Sequence, residues 1–216
     1  MDAVQKWNYE LRAKEIVDIL NGHAFDAVYA PTVEEAKKVL VEKLPEGAKI
    51  AVGGSVTLNS TGIMDEIIRN PKYNFIDRFH AESYEHMLDL YREGLTSDVF
   101  VSSVNAITKE GQLICIDCTG NRISSIIFGP KKVIIIAGVN KVCETLEDGI
   151  ARAREIAPLN ARRLPHKDAA CYADGKCHRE ICKSKGRVCN NIGIVDGCYY
   201  TPGRITVIVV PEDLGY

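Results

Sequence analysis

The sequence has no long apolar run and no excess of basic residues, and these two absences narrow the classes of protein it can represent. No stretch approaches the roughly 20 apolar residues that a bilayer-spanning helix needs. The chain contains 27 Lys and Arg residues against 29 Asp and Glu residues, for a formal net charge of −2. A general nucleic-acid binder carries a basic excess instead. We therefore expect neither a membrane nor a nucleic acid as a partner.

The sequence also lacks the features of a secreted protein. Its first ten residues are polar and contain no apolar segment of the kind found in a secretory signal. We therefore expect a cytoplasmic protein. Eight cysteines in a cytoplasmic chain of 216 residues are not expected to form a disulfide framework, because the cytosol keeps thiols reduced. Metal binding is the better interpretation of the cysteines that cluster.

What the sequence does contain is an alternation of strand and helix patterns. Short apolar runs rich in β-branched residues occur at residues 99–101, 113–116 and 133–137, and such runs are typical of strands covered on both faces. Strand and helix patterns alternate from residue 27 to residue 156. This order predicts an α/β fold in which a mostly parallel sheet is flanked by helices.

The character of the chain changes near residue 158. Residues 158–200 are polar and rich in cysteine, glycine and basic residues, whereas residues 205–210 read ITVIVV, the pattern of a buried strand. We therefore divide the chain into an α/β domain at residues 1–157, a cysteine-rich insert at residues 158–200, and residues 201–216, whose strand returns to the α/β domain.

A loop rich in glycine and hydroxyl residues follows the predicted strand at residues 49–52. The loop reads GGSVTL, and its candidates for binding an anionic group are Gly53, Gly54, Ser55 and Thr57. Glycine lets the backbone approach a ligand closely, and the start of the following helix carries partial positive charge. The loop matches neither a dinucleotide-binding nor a Walker motif. The alternative is a plain turn in which Ser55 or Thr57 caps the helix.

Polar and basic residues follow the later predicted strands as well. Loops at the carboxyl ends of parallel strands meet at one edge of a sheet, where ligands bind. Further candidates for ligand binding in such loops are Asn105, Asn121, Arg122 and Lys141. Alternatively, the asparagines cap turns and the basic residues are surface charges. Glu110 is the carboxylate that we offer as a catalytic general base or nucleophile.

Four cysteines of the tail have a spacing that indicates a metal centre. Cys171, Cys177, Cys182 and Cys189 are arranged as C-x5-C-x4-C-x6-C, with little apolar side chain between them, so metal binding would supply folding free energy. Zinc sites usually contain C-x2-C or C-x4-C pairs. The longer intervals suit a [4Fe–4S] cluster, whose four cysteines reach separate irons. Zinc is an alternative, as are free or oxidised thiols.

The whole chain resembles the LUD-domain (lactate-utilisation) family, and in particular its branch with a cysteine-rich C-terminal segment. The matching residues are GGSVTL at 53–58, NAI at 105–107 with Gly111, GNR at 120–122 and GVNK at 138–141. In the tail, PGR at 202–204 and EDLG at 212–215 match together with the four cysteines.

This resemblance implies the fold shared by ribose-5-phosphate isomerase, glucosamine-6-phosphate deaminase and CoA transferases (NagB/RpiA/CoA-transferase-like). It also implies that the glycine–hydroxyl loop contacts a phosphate or a carboxylate-bearing ligand, and that the loop at residues 105–111 brings an acidic residue near the substrate. The family is associated with oxidation of lactate to pyruvate alongside iron–sulfur partner proteins.

Together these observations favour an iron–sulfur protein that binds a small anionic metabolite in the oxidation of lactate or another hydroxy acid. Redox proteins carrying iron–sulfur or flavin groups are expected partners, and a homodimer is an expected assembly. One alternative is a non-catalytic electron-transfer or assembly subunit, favoured by the lack of a convincing acid–base pair. Another is an isomerase or acyl-CoA-transfer enzyme with a structural zinc. The sequence leaves open whether the chain is an enzyme.

Overall fold

A computed structural model describes residues 2–178 and 182–216. In these residues the strands are β1 (Asp26–Tyr29), β2 (Lys49–Val52), β3 (Asn74–Phe75), β4 (Val99–Ser102), β5 (Ala106–Thr108), β6 (Leu113–Asp117), β7 (Lys132–Gly138), β8 (Val142–Cys143), β9 (Asn191–Val195) and β10 (Ile205–Val210). The helices are α1 (Ala3–Gly22), α2 (Val33–Lys43), α3 (Val56–Ser60), α4 (Ile63–Arg69), α5 (Tyr84–Gly94), α6 (Asn121–Ile127), α7 (Leu146–Glu155), α8 (Ala157–Arg163) and α9 (Cys171–Asp174). None of the helices in these ranges is both long and apolar enough to cross a bilayer.

The larger of two sheets contains six strands in the order β1-β10-β7-β4-β2-β3, and every neighbouring pair is parallel. Its central strands, β7 and β10, are apolar because both of their faces are covered. The Ile135 side chain belongs to the core on one face of the sheet, whereas Ile134 and Ile136 belong to the core on the other face. The prediction of an α/β fold with a mostly parallel sheet is therefore confirmed.

Helices cover both faces of this sheet. On one face, α1 packs Ile16 and Leu20 against the sheet, and on the opposite face α2 and α4 contribute Leu40 and Ile67. Each of these side chains is almost fully buried, which stabilises the fold by about 1.5–3 kcal/mol per side chain. Helix α2 begins at Val33, where the Thr32 hydroxyl accepts a hydrogen bond from the amide of the third helical residue.

A second, smaller sheet has the order β8-β5-β6-β9. The apolar run at residues 113–116 is a strand, as predicted, but it belongs to β6 in this sheet and is antiparallel to β5 and β9. On one face of this sheet, Ile114 and Ile116 pack against Ala153 of α7. Strand β9 lies inside the segment predicted to be a cysteine-rich insert, so this segment contributes a strand to the body of the protein.

The chain does return to the large sheet, as the ITVIVV pattern predicts. Strand β10 lies between β1 and β7, with Val207 aligned with Ala27 on one side and Ile135 on the other. Before this return, α8 occupies a stretch that the sequence indicates to be loop-like. It forms because Ala157 and Ala161 are buried in a small core with residues of the cysteine-rich segment.

Candidate anion pocket and cysteine cavity

The carboxyl ends of β2, β4, β7 and β10 converge at one edge of the large sheet. The loops that follow these strands enclose a small cavity of about 30 Å³, which we call the Lys141 pocket. Six of the eight residues predicted to bind a ligand line it, namely Gly54, Ser55, Thr57, Asn105, Arg122 and Lys141. Ser103, Asn160 and Tyr216 also line it. The strand-end loops therefore meet around one cavity, and its role as a ligand site stays a prediction.

Lys141 is at the centre of this pocket and is only 3% exposed. It ends the 3₁₀ turn Val139–Lys141, which follows β7 directly. Its Nζ donates hydrogen bonds to Thr57 Oγ1 and Ser103 Oγ, both at 2.8 Å. Thr57 Oγ1 in turn donates to the Leu214 carbonyl at 3.1 Å. This lysine therefore links the loops after β2, β4 and β10, which excludes the alternative that it is a surface charge.

Burial lowers the pKa of Lys141 to about 7, and the nearby positive charges of Arg152 and Arg122 contribute to this lowering. Removing an ammonium group from water disfavours its charged form, and neighbouring like charges act in the same direction. Near neutral pH this side chain therefore exists in both protonation states. An anion placed in the pocket would stabilise the charged state.

Arg122 is also buried, and it organises the wall of the pocket. Its Nε pairs with Asp117 Oδ1 at 3.1 Å, while Nη2 donates to Asn105 Oδ1 at 2.6 Å and to the Ile116 carbonyl at 2.7 Å. Nη1 donates to the Ser103 carbonyl at 3.1 Å. Because these bonds use several of the guanidinium donors, Arg122 holds Asn105 and the end of β4 in place.

Three of the predicted residues have structural roles at the margin of the pocket. The Ser55 hydroxyl accepts a hydrogen bond from the Leu58 amide at 3.3 Å, so Ser55 caps α3, as the structural alternative for this loop predicts. Gly53 is buried so close to Ser102 that a side chain would collide with it. Asn121 Oδ1 accepts a hydrogen bond from Thr119 Oγ1 at 2.8 Å.

Glu110 lies away from the Lys141 pocket. Its Oε2 accepts a hydrogen bond from the Leu146 amide at 3.2 Å, in an exposed position at the start of α7. A carboxylate at this place satisfies an amide that the helix leaves unpaired. A catalytic role for Glu110 stays a prediction, and its position favours a capping role.

A larger cavity of about 480 Å³, which we call the arginine groove, adjoins the Lys141 pocket. The two cavities share Gly54, Asn105, Arg122 and Asn160 as lining residues. The groove is further lined by Asn121, Arg78, Arg163, Tyr84 and Tyr91. Sequence reasoning missed the arginines, because single basic residues on separate elements carry no motif that would distinguish them from surface charges.

All four cysteines predicted to ligate a metal line one further cavity, the cysteine cavity, of about 210 Å³. Arg154, Ala157, Pro158, His178 and Arg187 complete its lining. The four cysteines are free thiols. Across residues 2–178 and 182–216, no group of three or more His, Cys, Asp and Glu side chains is arranged to hold a metal ion.

The thiols of this cavity influence one another electrostatically. Burial raises the pKa of Cys171, and the neighbouring Cys182, Cys189 and Cys177 raise it further. Arg187 places a positive charge next to these sulfurs, because its Nε donates a hydrogen bond to Cys189 Sγ at 3.4 Å. Four sulfurs therefore line one cavity, with a guanidinium beside them.

The cysteine cavity follows directly on the arginine groove. Ala157, at the start of α8, lines both cavities. Val188 and Cys118 line the groove, and Val188 is the residue before Cys189. Shared lining residues therefore connect the Lys141 pocket to the arginine groove, and the groove to the cysteine cavity.

This arrangement defines an α/β protein with a polar, positively charged cavity at the sheet edge and a thiol-lined cavity beside it. The LUD domain matches residues 13–210, and the chain belongs to the LUD-domain family. At the level of the family, this domain is associated with lactate utilisation.

Among solved structures, the chain is similar to a DUF162 family protein from Deinococcus radiodurans. The match has 11% sequence identity and a TM-score of 0.50, and it covers 95% of this chain and 98% of the other. At this identity the similarity concerns the fold alone. None of the curated proteins matches this chain.

Proposed function

We propose that this protein binds a small hydroxy acid in the Lys141 pocket and holds an iron–sulfur centre in the cysteine cavity, as part of hydroxy-acid oxidation. The observation that carries this proposal is the buried Lys141 side chain, which faces a cavity beside Arg122. A buried ammonium near another cation is costly unless a negative charge compensates it. A carboxylate in the pocket would supply that charge.

The residues around Lys141 suit the rest of a hydroxy acid. The hydroxyl groups of Thr57 and Ser103 already bond to Lys141 Nζ, and each can exchange partners with a ligand oxygen. Asn105 is held by Arg122 through its Oδ1, which fixes the orientation of its amide. The protein would therefore bind the carboxylate by charge and orient the hydroxyl by hydrogen bonds.

The cysteine cavity would accommodate the redox group of this proposal. Cys171, Cys177, Cys182 and Cys189 would be its ligands, and Arg187 would offset the negative charge of the thiolates. An iron–sulfur cluster supplies one-electron transfer when it is bound. The groove between the two cavities would bring the ligand and the cysteines to neighbouring positions. Iron–sulfur or flavin redox partners, and a homodimer, stay predictions.

The metal content of oxygen-free protein tests the redox half of the proposal. We expect iron and acid-labile sulfide in protein purified anaerobically, with visible absorption that disappears in Cys177→Ser and Cys189→Ser. Cys198→Ser is the matched control, because Cys198 is buried elsewhere and donates to the Thr201 carbonyl. Stoichiometric zinc without iron would instead support the structural-zinc alternative.

Calorimetric titration with glycerate tests the binding half. We expect Lys141→Met to weaken glycerate binding by about tenfold or more, since a charge-assisted contact contributes roughly 1.5–3 kcal/mol. Lys131→Met is the control, because Lys131 is an exposed lysine that pairs with Asp98. Equal affinities in wild type and Lys141→Met would contradict the proposal.

A second candidate function also has a specific observation in its favour. A lysine whose pKa is near 7 is suited to general-base catalysis at neutral pH. An isomerase that uses Lys141 in this way needs no redox group, so its turnover would survive the Cys177→Ser and Cys189→Ser substitutions. Loss of turnover in those variants would favour the redox function.

A further inference from the structure

Two partly buried arginines line the arginine groove, and neither has a carboxylate partner among the described residues, whereas Arg122 is paired with Asp117. Arg163 Nη2 donates to Asn160 Oδ1 at 3.1 Å, but within the part of the chain that the structure describes its buried Nε has no hydrogen-bond partner. A buried donor left unpaired costs free energy.

Arg78 enters the same groove from the segment after β3. Its Nε donates to the Val52 carbonyl at 3.2 Å, and its guanidinium lies over the Phe79 ring at 4.5 Å. Considering residues 2–178 and 182–216, no carboxylate lies within 4.0 Å of Arg78 or Arg163. Both side chains therefore retain donors for an anion.

The pKa of Arg163 also indicates that the groove is positively charged. Burial lowers the pKa of Arg163; Tyr216 opposes this effect, and the positive charges of Arg78 and Arg122 add to it. Arg163 is thus close enough to both Arg78 and Arg122 to be repelled by them. Asp117 also lines the groove, but it is already paired with Arg122 at 3.1 Å. An anion between the arginines would relieve this repulsion.

A monocarboxylate bound in the Lys141 pocket would leave the larger arginine groove empty. The Lys141 pocket has a volume of about 30 Å³, whereas the arginine groove has about 480 Å³. Asn160 lines both cavities and accepts the hydrogen bond from Arg163. A ligand anchored at Lys141 therefore has a continuous path past Asn160 to Arg163.

We propose that the ligand of this site carries a second anionic group, a phosphate, which binds Arg163 and Arg78 while the carboxylate occupies the Lys141 pocket. The substrate class is then a phosphorylated hydroxy acid instead of lactate itself. Arginine is suited to this role because its planar fork donates two parallel hydrogen bonds to phosphate oxygens. The inference rests on the proposed function, since it assumes that the Lys141 pocket binds the carboxylate.

A matched pair of probes, glycerate and 3-phosphoglycerate, isolates the contribution of the phosphate. We expect calorimetric titration to show that 3-phosphoglycerate binds wild-type protein about tenfold or more tightly than glycerate does. In Arg163→Gln and Arg78→Gln this affinity ratio should fall toward one. Arg69→Gln is the control, because Arg69 is an exposed arginine on α4 that lies near Asp65, and it should retain the wild-type ratio. Circular dichroism confirms that each variant is folded.

The outcomes separate this inference from the proposed function. If glycerate binds and loses affinity in Lys141→Met, but 3-phosphoglycerate has no advantage in wild type, the phosphate subsite is wrong and the carboxylate pocket stands. The phosphate subsite is also wrong if the advantage is equal in wild type and Arg163→Gln. If neither probe binds wild-type protein, the carboxylate pocket and the subsite both fail.

Discussion

Lys141 reduces stability at neutral pH because its amine is buried. Its pKa is about 7 in the folded protein, against an ordinary value of 10.5, so between these values the unfolded chain binds more protons than the folded one. Unfolding free energy contributed by this group therefore increases as the pH rises from about 7 toward 10.5. Below pH 7 the full penalty is present.

We accordingly expect Lys141→Met to be more stable than wild type at pH 6–7, by at most about 5 kcal/mol, because the pKa is lowered from 10.5 to about 7 and each pKa unit corresponds to about 1.4 kcal/mol. The difference should shrink as the pH approaches 10. Urea unfolding of both proteins across this range measures it, and the comparison cancels the titration of other groups. A variant that is less stable than wild type at every pH would contradict this account of the buried amine.

The same titration gives ligand binding a pH dependence. If a carboxylate binds the protonated amine, its affinity should be constant below the pKa and fall about tenfold per unit above it. Calorimetry of glycerate in two buffers with different ionisation enthalpies should also show proton uptake near pH 8. Affinity that does not change from pH 6 to pH 9 would place the carboxylate somewhere other than Lys141.

For single residues, the sequence predicts where a side chain lies in the fold, but it does not predict the pKa of that side chain. Thr57, Asn105 and Lys141 are predictable members of the site, because each follows a strand whose carboxyl end must reach the same edge of the sheet. The pKa of Lys141 is not predictable, since it depends on burial by distant segments. Arg163 escapes prediction for the same reason: only the packing of α8 brings it to the groove.

Among the elements, α7 shows how tightly the second sheet is packed. Gly149 lies at the centre of this helix, and a methyl group there would collide with Ile114 Cδ1 and lie 3.3 Å from Thr108 Cγ2. Alanine is the better helix former by about 1 kcal/mol, whereas overpacking a closed core costs about 1–3 kcal/mol. Ile114 is fully buried and has little room to move, so the collision should dominate.

We expect Gly149→Ala to lower the free energy of unfolding by up to about 2 kcal/mol, the cost of the collision less the gain in helix propensity. Adding Ile114→Val, which removes the colliding methyl group, should recover part of this loss, and a double-mutant cycle in urea would measure the coupling. Gly22→Ala at the end of α1 is the control, because no atom lies within 4 Å of the added methyl. A stabilised Gly149→Ala protein would show that Ile114 can move.

The elements that the sequence predicts well are those whose pattern is uniform. Strand β10 is recognisable because ITVIVV is apolar on both faces, as a central parallel strand must be. Strand β9 reads NIGIV, and its Ile192 and Ile194 are partly exposed. Its sequence therefore does not distinguish it from a loop, and it is a strand because it pairs with β6. Helix α8 is short, and its alanines signal burial only once their partners are known.

In the whole molecule, the cysteine-rich segment lies between α8 and β9, both of which pack against the body of the protein. It leaves the body after α8 and rejoins it at β9, which pairs with β6 over five aligned residue pairs. Between these points its own core is small, with Ala169 and Val188 buried against α8. A centre bound by the four cysteines would therefore stabilise this segment locally and leave the large sheet almost unaffected.

Removal of the centre should accordingly change amide exchange in one region only. We expect chelator-treated, oxygen-free protein to exchange residues 171–178 and 182–189 at least about tenfold faster than the loaded protein, because metal binding contributes folding free energy where its ligands lie. The amides of β7 and β10 provide the internal control and should keep their protection, since their hydrogen bonds lie within the parallel sheet. Faster exchange throughout both strands would mean that the centre supports the entire fold. Unchanged exchange around the cysteines would mean that the segment is organised by its small apolar core alone, and that the four thiols need no metal to stay together.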